Sequence, residues 1–125
     1  TVIATHPDRD HIGGLEHILE CVDVGELWIW PQGTDAALEV ALLEACARHE
    51  VPVTRVSAGK AVPATGMTIR ILHPPPDWPA AKGDNNQSLV LQLDWEDARI
   101  LLTGDIEVEA EEALVAHLDG IDLLK

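Results

Sequence analysis

Thr5-His6-Pro7-Asp8-Arg9-Asp10-His11-Ile12-Gly13-Gly14 places four potential metal ligands within six residues. The apolar stretch ahead of it predicts a short buried strand over 2–5. Behind it, Leu15, Ile18, Leu19 and Val22 recur at helical spacing and predict a helix over 14–22. The segment from His6 to Gly14 then reads as a polar loop between strand and helix, where a rigid scaffold presents reactive groups. On an extended backbone His6, Asp8 and Asp10 point to one side and His11 to the other. That pattern suits two adjacent ions, one served by His6 and Asp8, the other by Asp10 and His11. The competing reading is a solvated turn whose Asp caps the helix.

Outward from this loop, strands and helices alternate. Leu27 to Trp30 reads as a strand ended by Pro31. Thr34 is placed to cap a helix with Leu38, Ala41, Leu42 and Ala45 inward, running to about His49. Strands follow over 53–56 and around Met67, Ile69 and Ile71. Four prolines (Pro74, Pro75, Pro76, Pro79) stiffen a loop over 73–87. Residues 88–95 and 99–103 form a hairpin around Glu96-Asp97-Ala98. An acidic helix over 107–118 turns Ala110, Leu114 and Leu118 inward, and 121–125 reads as a last strand. This interleaving predicts one α/β domain with mixed sheets.

Composition narrows the function classes. The 125 residues carry 22 acidic and eight basic side chains, a net charge of −14, which argues against a generic nucleic-acid binder with its basic face. Most of this surplus reads as solvated surface. Aromatic content is 3 %, all Trp, which argues against a base-stacking platform. The longest apolar runs are four residues, far short of the roughly 18 that a membrane span requires. Cys21 and Cys46 fit no zinc spacing, and both read as buried, inert thiols on helices. Trp28 and Trp30 share a strand face and read as core. His73 reads as a surface residue at a strand end, and His17, His49 and His117 as helix residues without a role.

Two further pieces bear on the chemistry. Thr103-Gly104-Asp105 ends the Ile100-Leu101-Leu102 strand with a carboxylate, either a helix cap or a ligand. Gly83-Asp84-Asn85-Asn86-Gln87-Ser88 is a polar turn entering the Leu89-Val90-Leu91 strand. Together with the first loop, these pieces resemble the metallo-β-lactamase-like hydrolase superfamily, and within it the hydrolase domains of ComEC-type DNA-uptake proteins. The superfamily's usual loop is His-x-His-x-Asp-His, and Asp8 stands here at its second His, as in the ComEC group. Asp84 falls where the superfamily has its next His, and Asp105 where it has its bridging Asp.

The resemblance implies an αββα four-layer sandwich of mixed sheets with the site at the sheet edges. Residues 1–125 would be the central part of that domain, lacking its first strands and its last ligand segment. The implied metal ligands are His6, Asp8, Asp10, His11, Asp84 and Asp105, with Asp10 and Asp105 also catalytic, and Asn85, Asn86 and Ser88 toward substrate. The implied cofactor is a pair of divalent ions, with the oxygen-rich donor set favouring manganese and zinc as the other candidate. The implied activity is a phosphodiesterase or nuclease degrading DNA during natural transformation, with single-stranded DNA as substrate. The parent would be embedded in the cytoplasmic membrane, with this soluble domain on the extracytoplasmic side. Two alternatives stay open: a hydrolase of a small ester, thioester or lactone, and a non-catalytic scaffold.

Overall fold

The structure, a computed structural model, describes residues 1–33, 36–80 and 83–125. Strands β1 (Val2–Ile3), β2 (Leu27–Ile29) and β3 (Val53–Arg55) pair in parallel, in that order. A second sheet orders β4 (Ala61–Ala64), β5 (Met67–His73), β6 (Val90–Trp95), β7 (Ala98–Leu102) and β8 (Leu123–Leu124). Its first four strands are antiparallel, and β8 runs parallel to β7. The helices are α1 (Arg9–Ile12), α2 (Leu15–Cys21), α3 (Ala37–Arg48) and α4 (Val108–Val115). Among the described residues, no helix is long and apolar enough to cross a membrane.

Strand alternation sets the layers. Ile69, Ile71, Leu89, Leu91 and Leu102 join the main core, which also holds β2, Leu19 of α2, and Leu42, Ala45 and Cys46 of α3. Their neighbours Leu72, Val90 and Leu101 point to the other face, where Leu114 of α4 covers them. The second sheet is therefore covered by the main core on one face and by α4 at one end of the other, where Arg70 and Arg99 stay exposed. This mixed α/β arrangement of two sheets flanked by helices agrees with the fold class expected from the sequence.

Several local expectations are corrected. The loop after β1 contains a helical turn, α1, so the backbone is extended only as far as Asp8, whose φ and ψ are −78° and 148°. β4 was not foreseen; Pro63 is tolerated in it because β4 is an edge strand. The buried face of α3 is Glu39, Leu42, Ala45 and Cys46 rather than one containing Leu38 and Ala41. Glu39 goes inward because Arg55 Nη2 meets its Oε1 at 2.6 Å. His73 is buried, not superficial: its Nε2–H donates to the Asn86 carbonyl at 3.0 Å, and its ring meets Trp78 edge-on. Cys46 is buried as expected, whereas Cys21 is exposed. The expected cap, Thr34, lies outside the described residues.

Candidate metal centre

Three chain segments meet where the two sheets touch. Residues 4–8 leave β1, Ser88 precedes β6, and residues 103–105 leave β7. Leu89 N–H donates to Thr5 O at 2.9 Å and joins the first two segments. Gly104 closes the third against them. Its φ is +59°, and a Cβ there would lie 2.9 Å from Ser88 Cβ and 3.4 Å from Thr5 Cβ. Only glycine fits both the left-handed backbone and the close approach.

His6 is fully buried at the centre of this junction. Its Nδ1 lies 3.0 Å from Thr5 Oγ1 and 3.1 Å from Ser88 Oγ. The Nδ1–H tautomer donates to these hydroxyl oxygens and leaves a lone pair on Nε2. That Nε2 is buried with no hydrogen-bond partner among the described residues. Burial first, and the neighbouring His11 second, hold the His6 pKa below its ordinary value, against the opposing pull of Asp8, Asp105 and Asp10. A neutral imidazole with an unpartnered buried lone pair is what a divalent cation requires.

The α1 turn swings His11 round to the same side as His6, which corrects the opposite-sides expectation; the ring centroids are 4.1 Å apart. His11 Nε2 lies 3.2 Å from Asp105 Oδ2. For bonds of about 2.0–2.1 Å, that separation matches one edge of a tetrahedron around an ion. Donor atoms of His6, His11 and Asp105 all lie within 4.8 Å of one another, the one such group among the described residues. The donor set and the orphaned Nε2 fit a divalent metal.

Around this core stand the other sequence-predicted residues. Asp8 Oδ2 is 3.8 Å from His6 Nε2, and Asp10 Oδ2 is 3.6 Å from His11 Nε2. Asp8 occupies the N-cap position of α1, yet its side chain makes no capping hydrogen bond. Asp105 is not a cap either, since Glu107 holds that position for α4. Asp84 is exposed ahead of a 3₁₀ turn over Asn85–Gln87 and is not part of the three-residue group. Asn86 is buried and fastens that turn to α4, accepting Glu107 N–H at 2.8 Å, while Asn85 Nδ2 donates to Glu107 Oε1 at 3.1 Å. Ser88 Oγ accepts Asp105 N–H at 3.2 Å while touching His6, so one hydroxyl braces both. The sequence reading missed Thr5, although it directly precedes His6. A cavity of about 530 Å³ opens beside the group, lined by His11, Leu102, Gly104, Asp105 and Lys125.

Comparison with known proteins bears on the family and the fold. The chain is 33 % identical over 127 residues to ComE operon protein 3 of Bacillus subtilis (strain 168), covering 99 % of this chain and 16 % of that protein. It thus spans about a sixth of that relative's length. Among solved structures, Zn(2+)-bound PqqB from Methylobacterium extorquens superposes with a TM-score of 0.62 at 18 % identity, over 98 % of this chain and 44 % of that one. CmlA, a diiron β-hydroxylase from Streptomyces venezuelae, gives 0.57 at 14 %, over 98 % and 24 %. At such identities these two speak for the fold alone. Residues 1–123 match the family model of the metallo-beta-lactamase superfamily, and the chain belongs to that superfamily.

Proposed function

We propose that this chain is the metal-binding part of a divalent-metal-dependent phosphodiesterase that degrades one strand of DNA during uptake. The observation that carries this reading is the convergence of His6, His11 and Asp105, from motifs at opposite ends of the chain, on one partly buried group. The similarity to ComE operon protein 3, over nearly all of this chain, supports the uptake setting. The reading further places the chain in a longer parent anchored in the cytoplasmic membrane, with this domain on its outer side.

In this reading His6, Asp8, Asp10, His11, Asp84 and Asp105 would hold a pair of divalent ions. When bound, such a pair supplies Lewis acidity and charge neutralisation at a scissile phosphodiester. The chain's own part is positioning. Thr5 and Ser88 hold the His6 ring, Ser88 fixes the Asp105 backbone, and Gly104 lets both approach. Asn85, Asn86 and Ser88 would face substrate in this reading, while Asn86 and Ser88 also hold the turn and the ligands in place. Carboxylates outnumber imidazoles in this set, and harder oxygen donors favour manganese over zinc.

The test uses metal-stripped protein extended through its flanking segments, reloaded with manganese or zinc, on single-stranded DNA. Manganese is expected to give the higher cutting rate, Asp105→Ala to abolish it, and the 125-residue chain alone to be inactive. Equal cutting by Asp105→Ala refutes the reading. Folded, metal-loaded protein that cuts nothing identifies a scaffold instead.

A further inference from the structure

The chain's charge creates a problem that one residue is placed to solve. At −14, it repels a polyanion at long range, so attraction must be local. Most of the described cations are committed elsewhere. Arg48 pairs with Glu16, Arg55 with Glu39 and Arg70 with Asp94. Arg99 donates to the Asp119 carbonyl, and the Lys60 ammonium lies over the Trp28 ring. Among the described residues this leaves the Arg9 and Lys125 side chains with no such partner. Of the two, Lys125 lines the cavity beside His11 and Asp105.

Its backbone is fixed there. Lys125 N–H donates to Leu101 O at 2.9 Å, and Thr103 N–H donates to Lys125 O at 2.9 Å. Thr103 Oγ1 adds a bond to the same carbonyl at 3.2 Å. The β7–β8 pairing therefore delivers Lys125 beside the strand end that carries Gly104 and Asp105. We propose that Lys125 is the phosphate anchor of this site, its ammonium binding a non-bridging oxygen of the substrate's phosphodiester. The inference rests on the phosphodiesterase reading and extends it to a residue outside the ligand motifs. A lysine suits this task as a mobile point charge with three donors.

The test is steady-state kinetics of the manganese-loaded protein with its flanking sequence, on single-stranded DNA and on bis(p-nitrophenyl) phosphate. Lys125→Met is expected to raise KM about fivefold to tenfold on both substrates and to leave kcat within about twofold. For DNA, the slope of log(kcat/KM) against log salt is expected to flatten by about 0.7, the value of one single-strand phosphate contact. Inorganic phosphate should inhibit the variant less, and metal content by mass spectrometry should not change. Lys125→Arg should restore most of the KM. Arg48→Gln, an equal charge change on α3, should alter nothing.

Unchanged KM and salt slope in Lys125→Met, with DNA still cut, overturn the anchor and leave the nuclease reading standing. Loss of metal or of folding in Lys125→Met and Lys125→Arg alike assigns Lys125 a structural role and also overturns it. Turnover of the small diester alone, with a KM that depends on Lys125, removes DNA as substrate and keeps the anchor. Turnover of neither substrate overturns both.

Discussion

Replacing Gly104 by Ala tests the junction that assembles the metal centre. The new Cβ meets Ser88 Cβ at 2.9 Å and Ser88 Oγ at 3.0 Å, while the backbone keeps a φ of +59°. A left-handed conformation costs an L-residue about 1–2 kcal/mol. Overpacking at a site fixed on both sides adds about 1–3 kcal/mol, so the expected loss is about 2–5 kcal/mol. A domain of this length has about 6–19 kcal/mol to lose at typical per-residue stability. With a urea m-value of about 1.5 kcal/mol/M, the unfolding midpoint should fall by about 1–3 M. Gly66→Ala is the control: its φ is +79°, but a Cβ there meets nothing within 4 Å, so it reports conformational strain without the clash. The clash also pushes Ser88 away from His6 and Asp105, so Gly104→Ala should weaken metal binding and Gly66→Ala should not. Equal midpoint shifts in the two variants, with metal binding intact in both, would refute the close-approach argument.

Ser88→Ala removes the hydroxyl shared by His6 and Asp105, and metal affinity should drop about 10- to 100-fold with folding retained. Unchanged affinity in a metal titration contradicts the bracing role. His73 is held below its ordinary pKa by burial, with the Asn86 carbonyl pulling the other way. The unfolded chain therefore takes up that proton first, and the stability His73 contributes is present above about pH 6.5 and lost as pH falls through its folded value. The stability gap between wild type and His73→Gln should narrow from pH 7.5 to 5.5 in urea titrations; a constant or wider gap is the opposing result. Burial also pushes the Cys46 thiol pKa up, whereas Cys21 is exposed. One thiol per chain should react quickly with a chromogenic disulfide in native buffer, and two in urea; two fast native thiols contradict the packing of α3.

Much of the fold was legible because the strands advertise their faces. The alternation through Ile69, Ile71, Leu89 and Leu91 is a local pattern, and so is the helical spacing of Leu15, Ile18 and Leu19. What escaped depends on partners distant in the chain. Glu39 is inward where Arg55 reaches it, and His73 is buried where Asn86 and Trp78 close over it. α1 is a single turn of Arg-Asp-His-Ile, too short and too polar to show periodicity, yet it is what brings His11 to His6. The candidate ligands stood out by type and spacing. Their supports were harder to read: the sequence reading passes over Thr5 and assigns Ser88 to substrate, because a hydroxyl acquires a bracing role from geometry that no local pattern encodes.

The most direct measurement of the central claim is a manganese titration of the metal-stripped protein with its flanking sequence, followed by electron paramagnetic resonance. The account predicts two bound ions per chain with a spin-coupled signal, and loss of that coupling in Asp105→Ala, the carboxylate 3.2 Å from His11. Absence of tight manganese binding, or an identical coupled signal in Asp105→Ala, would contradict it.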